Sequence, residues 1–126
     1  MGEKDLVLRE YKFLVSDAFR SAPEHIILEQ WNGLGANGDW INKFIPKKIF
    51  GVDITLASLP HDFEWSLKKK SRRHFHITNL HLFFNICQIL RKKIKYKYLL
   101  SFAYVKAVLY YSGVETKIGY RNYLNG

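Results

Sequence analysis

The sequence has a single cysteine, no long apolar run, and no acidic residue from Trp65 through Val114. Cys87 alone cannot form a disulfide within the chain. The start, MGEKD, lacks the basic-then-apolar order of a secretion signal. Together these lead us to expect a reducing, cytoplasmic location. The most apolar run, residues 80–90, is interrupted by His81, Asn85 and Gln88, so no transmembrane span is expected. The missing acids leave Lys68, Lys69, Lys70, Arg72, Arg73, Arg91, Lys92, Lys93, Lys95, Lys97 and Lys106 without acidic neighbours inside their own window.

A length of 126 residues fits one domain. Hydrophobic residues at 48% and aromatics at 16% can build a core and exclude a disordered chain. The net charge of +9 and isoelectric point near 9.7 favour a polyanionic partner: nucleic acid, anionic lipid headgroups or an acidic protein.

Residues 1–20 fit neither a helical nor a strand period. Ser21-Ala22-Pro23-Glu24 reads as a helix start, with Ser21 as N-cap and Glu24 completing a capping box. That helix stops at Asn32-Gly33, and a long loop follows over residues 32–53. A second helix is expected over residues 55–67. Pro60 sits awkwardly inside it, so the helix either starts at Thr55 or begins later with Ser58 as cap. After a basic connection over residues 68–76, a third helix is expected over 78–91. Its apolar side carries Leu82, Phe83, Ile86, Ile89 and Leu90. A fourth is expected over 98–112, with Phe102, Val105 and Leu109 read as core and Gly113 as the stop. The tail, residues 114–126, is weakly structured by pattern. The fold class is mainly α.

Chemistry concentrates in two places. The stretch WNGLGANGDW, residues 31–40, holds Gly33, Gly35 and Gly38 between two tryptophans. Glycines let several backbone carbonyls aim at one point. His61-Asp62 follows, on the expected second helix. Adjacent helical residues point about 100° apart and cannot act on each other, yet they can flank one site. An imidazole can serve as general base and a carboxylate as a hard-cation ligand. Taken alone, a His-Asp pair reads first as a helix-surface pair.

Read together, Trp31-Asn32-Gly33-Leu34-Gly35, Phe50-Gly51-Val52-Asp53-Ile54-Thr55 and Ser58-Leu59-Pro60-His61-Asp62 resemble the phospholipase A2 superfamily. They are closest to small phage and bacterial phospholipase A2-like domains. The resemblance covers about residues 21–90. It implies two long antiparallel helices carrying the site, beside a Gly-rich calcium loop. It implies that His61 activates water and that Asp62 gives calcium a side-chain ligand. Gly33, Gly35 and Asn37 would supply backbone carbonyls, and the Gly35 amide would stabilise the oxyanion during attack on an sn-2 ester.

Three positions depart from that pattern. Leu34 and Ser58 stand where the family pairs two cysteines, so the loop needs another anchor, for which Trp31, Trp40 and Phe44 are available. Trp65 replaces a supporting Tyr; its indole donates a hydrogen bond but accepts none. Asn79 stands in the register of the Asp that orients the base, and Asn orients an imidazole without offsetting its positive charge. With no acid in residues 65–114, a carboxylate for that role would come from the first half or from Glu115. Two functions therefore stay open: a calcium-dependent lipid esterase acting on anionic membranes, or the same fold, catalytically degenerate, binding nucleic acid or an acidic partner through its basic second half.

The remaining features have plainer readings. His74, His76 and His81 match no zinc spacing and are expected at the surface. Lys95-Tyr96-Lys97-Tyr98 suits either a single-strand nucleic-acid surface or a solvated helix end. Cys87 is expected to be a buried, inert thiol.

Overall fold

The structure, a computed structural model, describes residues 2–31 and 47–125. It is mainly helical. Helix α1 spans Glu3–Asp5 and runs into a π-turn, Leu6–Glu10. Helix α2 spans Asp17–Ser21 and α3 spans Glu24–Glu29. A two-residue hairpin follows, β1 (Lys48–Ile49) antiparallel to β2 (Val52–Asp53). A 3-10 turn, Thr55–Ala57, leads into α4, Ser58–Ser66. The two long helices are α5, Arg72–Lys93, and α6, Lys97–Val114, and α7 spans Lys117–Asn125.

The N-terminal segment, which showed no clear period, is held by specific bonds. Val7, Phe13 and Phe19 are buried in the core. Asn85 on α5 accepts from the Leu14 amide at 2.7 Å and donates to the Leu14 carbonyl at 3.0 Å. These two bonds serve both halves of a fully buried amide side chain. Lys4 donates through Nζ to the carbonyls of Arg20 and Ala22, satisfying the end of α2.

The expected cap at Ser21 is displaced. Ser21 ends α2, and Ser16 caps that helix by accepting from the Phe19 amide. Pro23 takes the cap position of α3, and Glu24 accepts from the Lys4 amide instead of closing a capping box. Short-range pattern gave way here to a partner twenty residues away.

The second half of the expected loop contains the hairpin. Phe50 (φ 49°) and Gly51 (φ 80°) both adopt left-handed backbone, as a two-residue hairpin turn requires. Pro60 occupies the third position of α4, where its missing amide falls among donors that lack a helical partner anyway.

Helix α5 starts at Arg72, six residues earlier than expected, because Ser71 caps it by accepting from the His74 amide at 3.0 Å. Of its expected apolar side, Leu82, Ile86, Ile89 and Leu90 are buried and Phe83 is partly buried against the core.

Helix α6 is rotated relative to the reading from sequence. It turns Ala103, Ala107 and Val114 to the core, while Phe102, Val105 and Leu109 face outward. The small alanines let α6 lie close on α5. The helix also continues through Gly113 to Val114.

The tail is ordered as α7. Thr116 accepts from the Gly119 amide at its start, and Tyr123 is buried against Trp65 and Phe75. Arg72 lies 4.1 Å over the Tyr120 ring, which further fixes this helix to α5.

Candidate functional site

His61 and Asp62 lie on α4, which has nine residues, and Asn79 lies on α5. Both α4 and α5 line the site, whereas the second long helix, α6, contributes none of the expected residues. His61 pairs with Asn79, and Trp65, one turn later on α4, pairs with Thr78. Advancing along α4 thus means moving back along α5, so the two helices run antiparallel at the site.

The His61 ring is almost wholly buried. Its Nε2 meets Asn79 Oδ1 at 2.9 Å. In the neutral ring, with that oxygen accepting, Nε2 carries the proton and Nδ1 keeps its lone pair. Nδ1 is 3.9 Å from Asp62 Oδ1, beyond direct hydrogen-bond distance but close enough for charge to matter. Trp65 stacks obliquely on the imidazole, with centroids 4.6 Å apart, and its indole donates to Thr78 Oγ1 at 3.1 Å. Asn79 is fully buried and its Nδ2 has no partner among the described residues. Such an orphaned donor costs roughly 1–3 kcal/mol. A carboxylate at this position would have no donor to orphan.

The Trp31 indole donates to Ser58 Oγ at 2.8 Å, and Ser58 in turn donates to the Thr55 carbonyl at 2.6 Å. This ties the end of the third helical segment to the first turn of α4. Trp31 also lines a cleft of about 420 Å³, with Leu6, Tyr11 and Leu56 on its apolar walls and Glu10, Asp53 and Lys93 among its charged residues. Asp53 accepts from the Thr55 amide and hydroxyl, which hold its carboxyl below the usual range.

Gly33, Gly35 and Asn37, expected as carbonyl ligands with Gly35 also as oxyanion donor, lie outside the described residues, as do Leu34, Trp40 and Phe44. Asp62 is thus the one expected calcium ligand within them. Its carboxylate is a hard oxygen donor, partly open to solvent at 18% exposure, and suits calcium chemically. Among the described residues no cluster of three or more His, Cys, Asp or Glu could hold a metal. A cation at Asp62 would draw its other donors from outside that set.

A second polar group, missed in the sequence, lies beside the first. Glu64, one turn after His61, is buried and accepts from the Ser16 hydroxyl. It meets His74 Nε2 at 3.1 Å, and His74 Nδ1 meets the Tyr123 hydroxyl at 2.6 Å. The Ser71 amide also donates to that hydroxyl. Burial pushes the Tyr123 phenol above its ordinary value. The chain Ser16–Glu64–His74–Tyr123 joins the N-terminal segment, α4, α5 and α7. Only its position as the last acid before the acid-free window set Glu64 apart in sequence.

The histidines expected at the surface are therefore engaged. His74 is nearly buried against Glu64, and His76 bonds Glu115. Glu115, one possible source of an orienting acid, is thereby committed to His76. His81 is half-buried, and desolvation holds its imidazole below the ordinary value despite the charge of Glu64. Cys87 is half-buried, with its thiol pushed up to about 11 by burial. No family model, curated protein or solved structure matches the chain.

Proposed function

We propose that the chain is a phospholipase A2-like lipid esterase that uses calcium. The observation that carries this reading is the setting of His61: Nε2 is held by Asn79, and the Nδ1 lone pair is left beside Asp62. That is the state a general base needs. In the reaction, His61 Nδ1 takes a proton from water as the water oxygen attacks the sn-2 carbonyl carbon. The imidazolium, steadied through Nε2 by Asn79, then returns the proton to the leaving alkoxide as the ester C–O bond breaks. Asp62 with the carbonyls of Gly33, Gly35 and Asn37 would hold calcium, which when bound supplies positive charge at the ester carbonyl. The Gly35 amide would add a hydrogen bond to the oxyanion.

The test is release of fatty acid from anionic phospholipid vesicles by the full chain in millimolar calcium. Hydrolysis lost in His61→Gln and in chelator supports the reading. No hydrolysis, or hydrolysis untouched by His61→Gln, rejects it.

A second reading is favoured by Asn79 itself. An amide orients His61 but leaves its imidazolium without a compensating charge. In that reading the chain is a catalytically degenerate relative that binds nucleic acid or an acidic partner through its basic second half. Salt-sensitive DNA binding without hydrolysis would establish it.

A further inference from the structure

A helix on the surface of a small protein ordinarily turns a polar side to water. Helix α6 does not. Its inner side is Ala103, Ala107 and Val114, and its outer side carries Tyr98, Phe102, Val105 and Leu109 at 85, 64, 58 and 63% exposure. Steps of four, three and four residues put these on one stripe. A helix apolar on both sides is covered by something. No helix among the described residues is long and apolar enough to cross a membrane, so a transmembrane role does not explain it.

Charge narrows the choice of cover. The only charged residues of α6 are Lys97 and Lys106. Exposed Lys92, Lys93 and Lys95 stand just before it, with Tyr96 at 78% exposure. The Lys106 ammonium lies 5.4 Å from the centroid of Phe50, the exposed residue at the hairpin tip, so the surface continues beyond the helix. A second copy would set this acid-free, lysine-bearing side against its own like charge. An anionic bilayer instead offers acyl chains to the stripe, phosphates to the lysines and an interfacial layer to the tyrosines.

We propose that α6 and Phe50 form a membrane-docking face that lies along an anionic bilayer, with Phe102, Val105 and Leu109 entering the headgroup boundary. The inference rests on the lipid-esterase reading for its choice of a bilayer as partner.

The experiment compares the full chain with a Phe102→Asp/Leu109→Asp variant. Co-sedimentation uses vesicles of phosphatidylcholine with phosphatidylglycerol, and of phosphatidylcholine alone. A short-chain monomeric ester in calcium reports the chemistry, and circular dichroism reports folding. The wild type should bind the anionic vesicles more tightly than the neutral ones. The variant should lose about tenfold or more of that binding and keep its rate on the monomeric ester. Equal binding by the two proteins, or no binding by the wild type, overturns the docking face. So does a wild-type dimer that the variant converts to monomer while vesicle binding persists. If neither protein cleaves the monomeric ester while the variant still loses the vesicles, the docking face stands and the esterase falls.

Discussion

Trp31 reaches across to α4 and donates its indole hydrogen to Ser58 at 2.8 Å. Ser58 is the first residue of α4, so this bond fixes the segment after α3 to the start of that helix. Ser58→Ala should destabilise the chain by roughly 1–2 kcal/mol, since it strands a partly buried donor. Trp31→Phe should cost less in the Ser58→Ala background than in the wild type. Urea unfolding of both single variants and the double variant measures that coupling.

Asn79→Asp tests what the amide withholds. A carboxylate there removes the orphaned Nδ2 and offsets the imidazolium of His61. If the chain is an esterase, turnover should rise by about tenfold or more. Unchanged fatty-acid release by the variant, in a chain that hydrolyses lipid, would mean that the new carboxylate does not act on the ring.

Glu64 is a structural anchor with three segments depending on it. Glu64→Ala leaves Ser16 and His74 without their shared acceptor and should cost roughly 3 kcal/mol. Glu64→Gln retains an acceptor and should cost less. Equal denaturation midpoints for the wild type and Glu64→Ala would contradict the buried network.

The His81 pair of states gives a signed pH effect. Burial lowers its folded pKa below the ordinary 6.5, so the folded protein prefers the neutral ring. Its contribution to stability is present above that value and is lost as pH falls and the unfolded chain takes up the proton. Replacing His81 with Gln should flatten the decline in stability between about pH 7 and pH 5, as read from urea titrations at several pH values.

Cys87 should be slow to react. With its thiol pushed up to about 11, alkylation by iodoacetamide at pH 8 should run about a hundredfold slower in the native chain than in urea. Comparable rates in both would show that the thiol is open to solvent.

The sequence made some of this legible and not the rest, for identifiable reasons. The apolar face of α5 was readable because Leu82, Ile86, Ile89 and Leu90 recur at helical spacing and all are buried. The resemblance alone put Asn79 in register with His61, and in the structure their side chains meet at 2.9 Å. On α6 the pattern misled, because a helix with apolar residues on every side carries no record of which side faces the core. Ala103 and Ala107 face inward through their small size, a packing property that hydrophobicity alone does not encode. The network around Glu64 was invisible because its partners, Ser16, His74 and Tyr123, come from distant parts of the chain.

The paired bonds between Asn85 and Leu14 also bear on how the chain comes to be folded. The two residues are 71 positions apart. During synthesis, the Leu14 backbone lacks this partner until Asn85 exists. Closing so wide a loop costs entropy before any contact rewards it. The Leu14 bonds can therefore form only after most of α5 has been made.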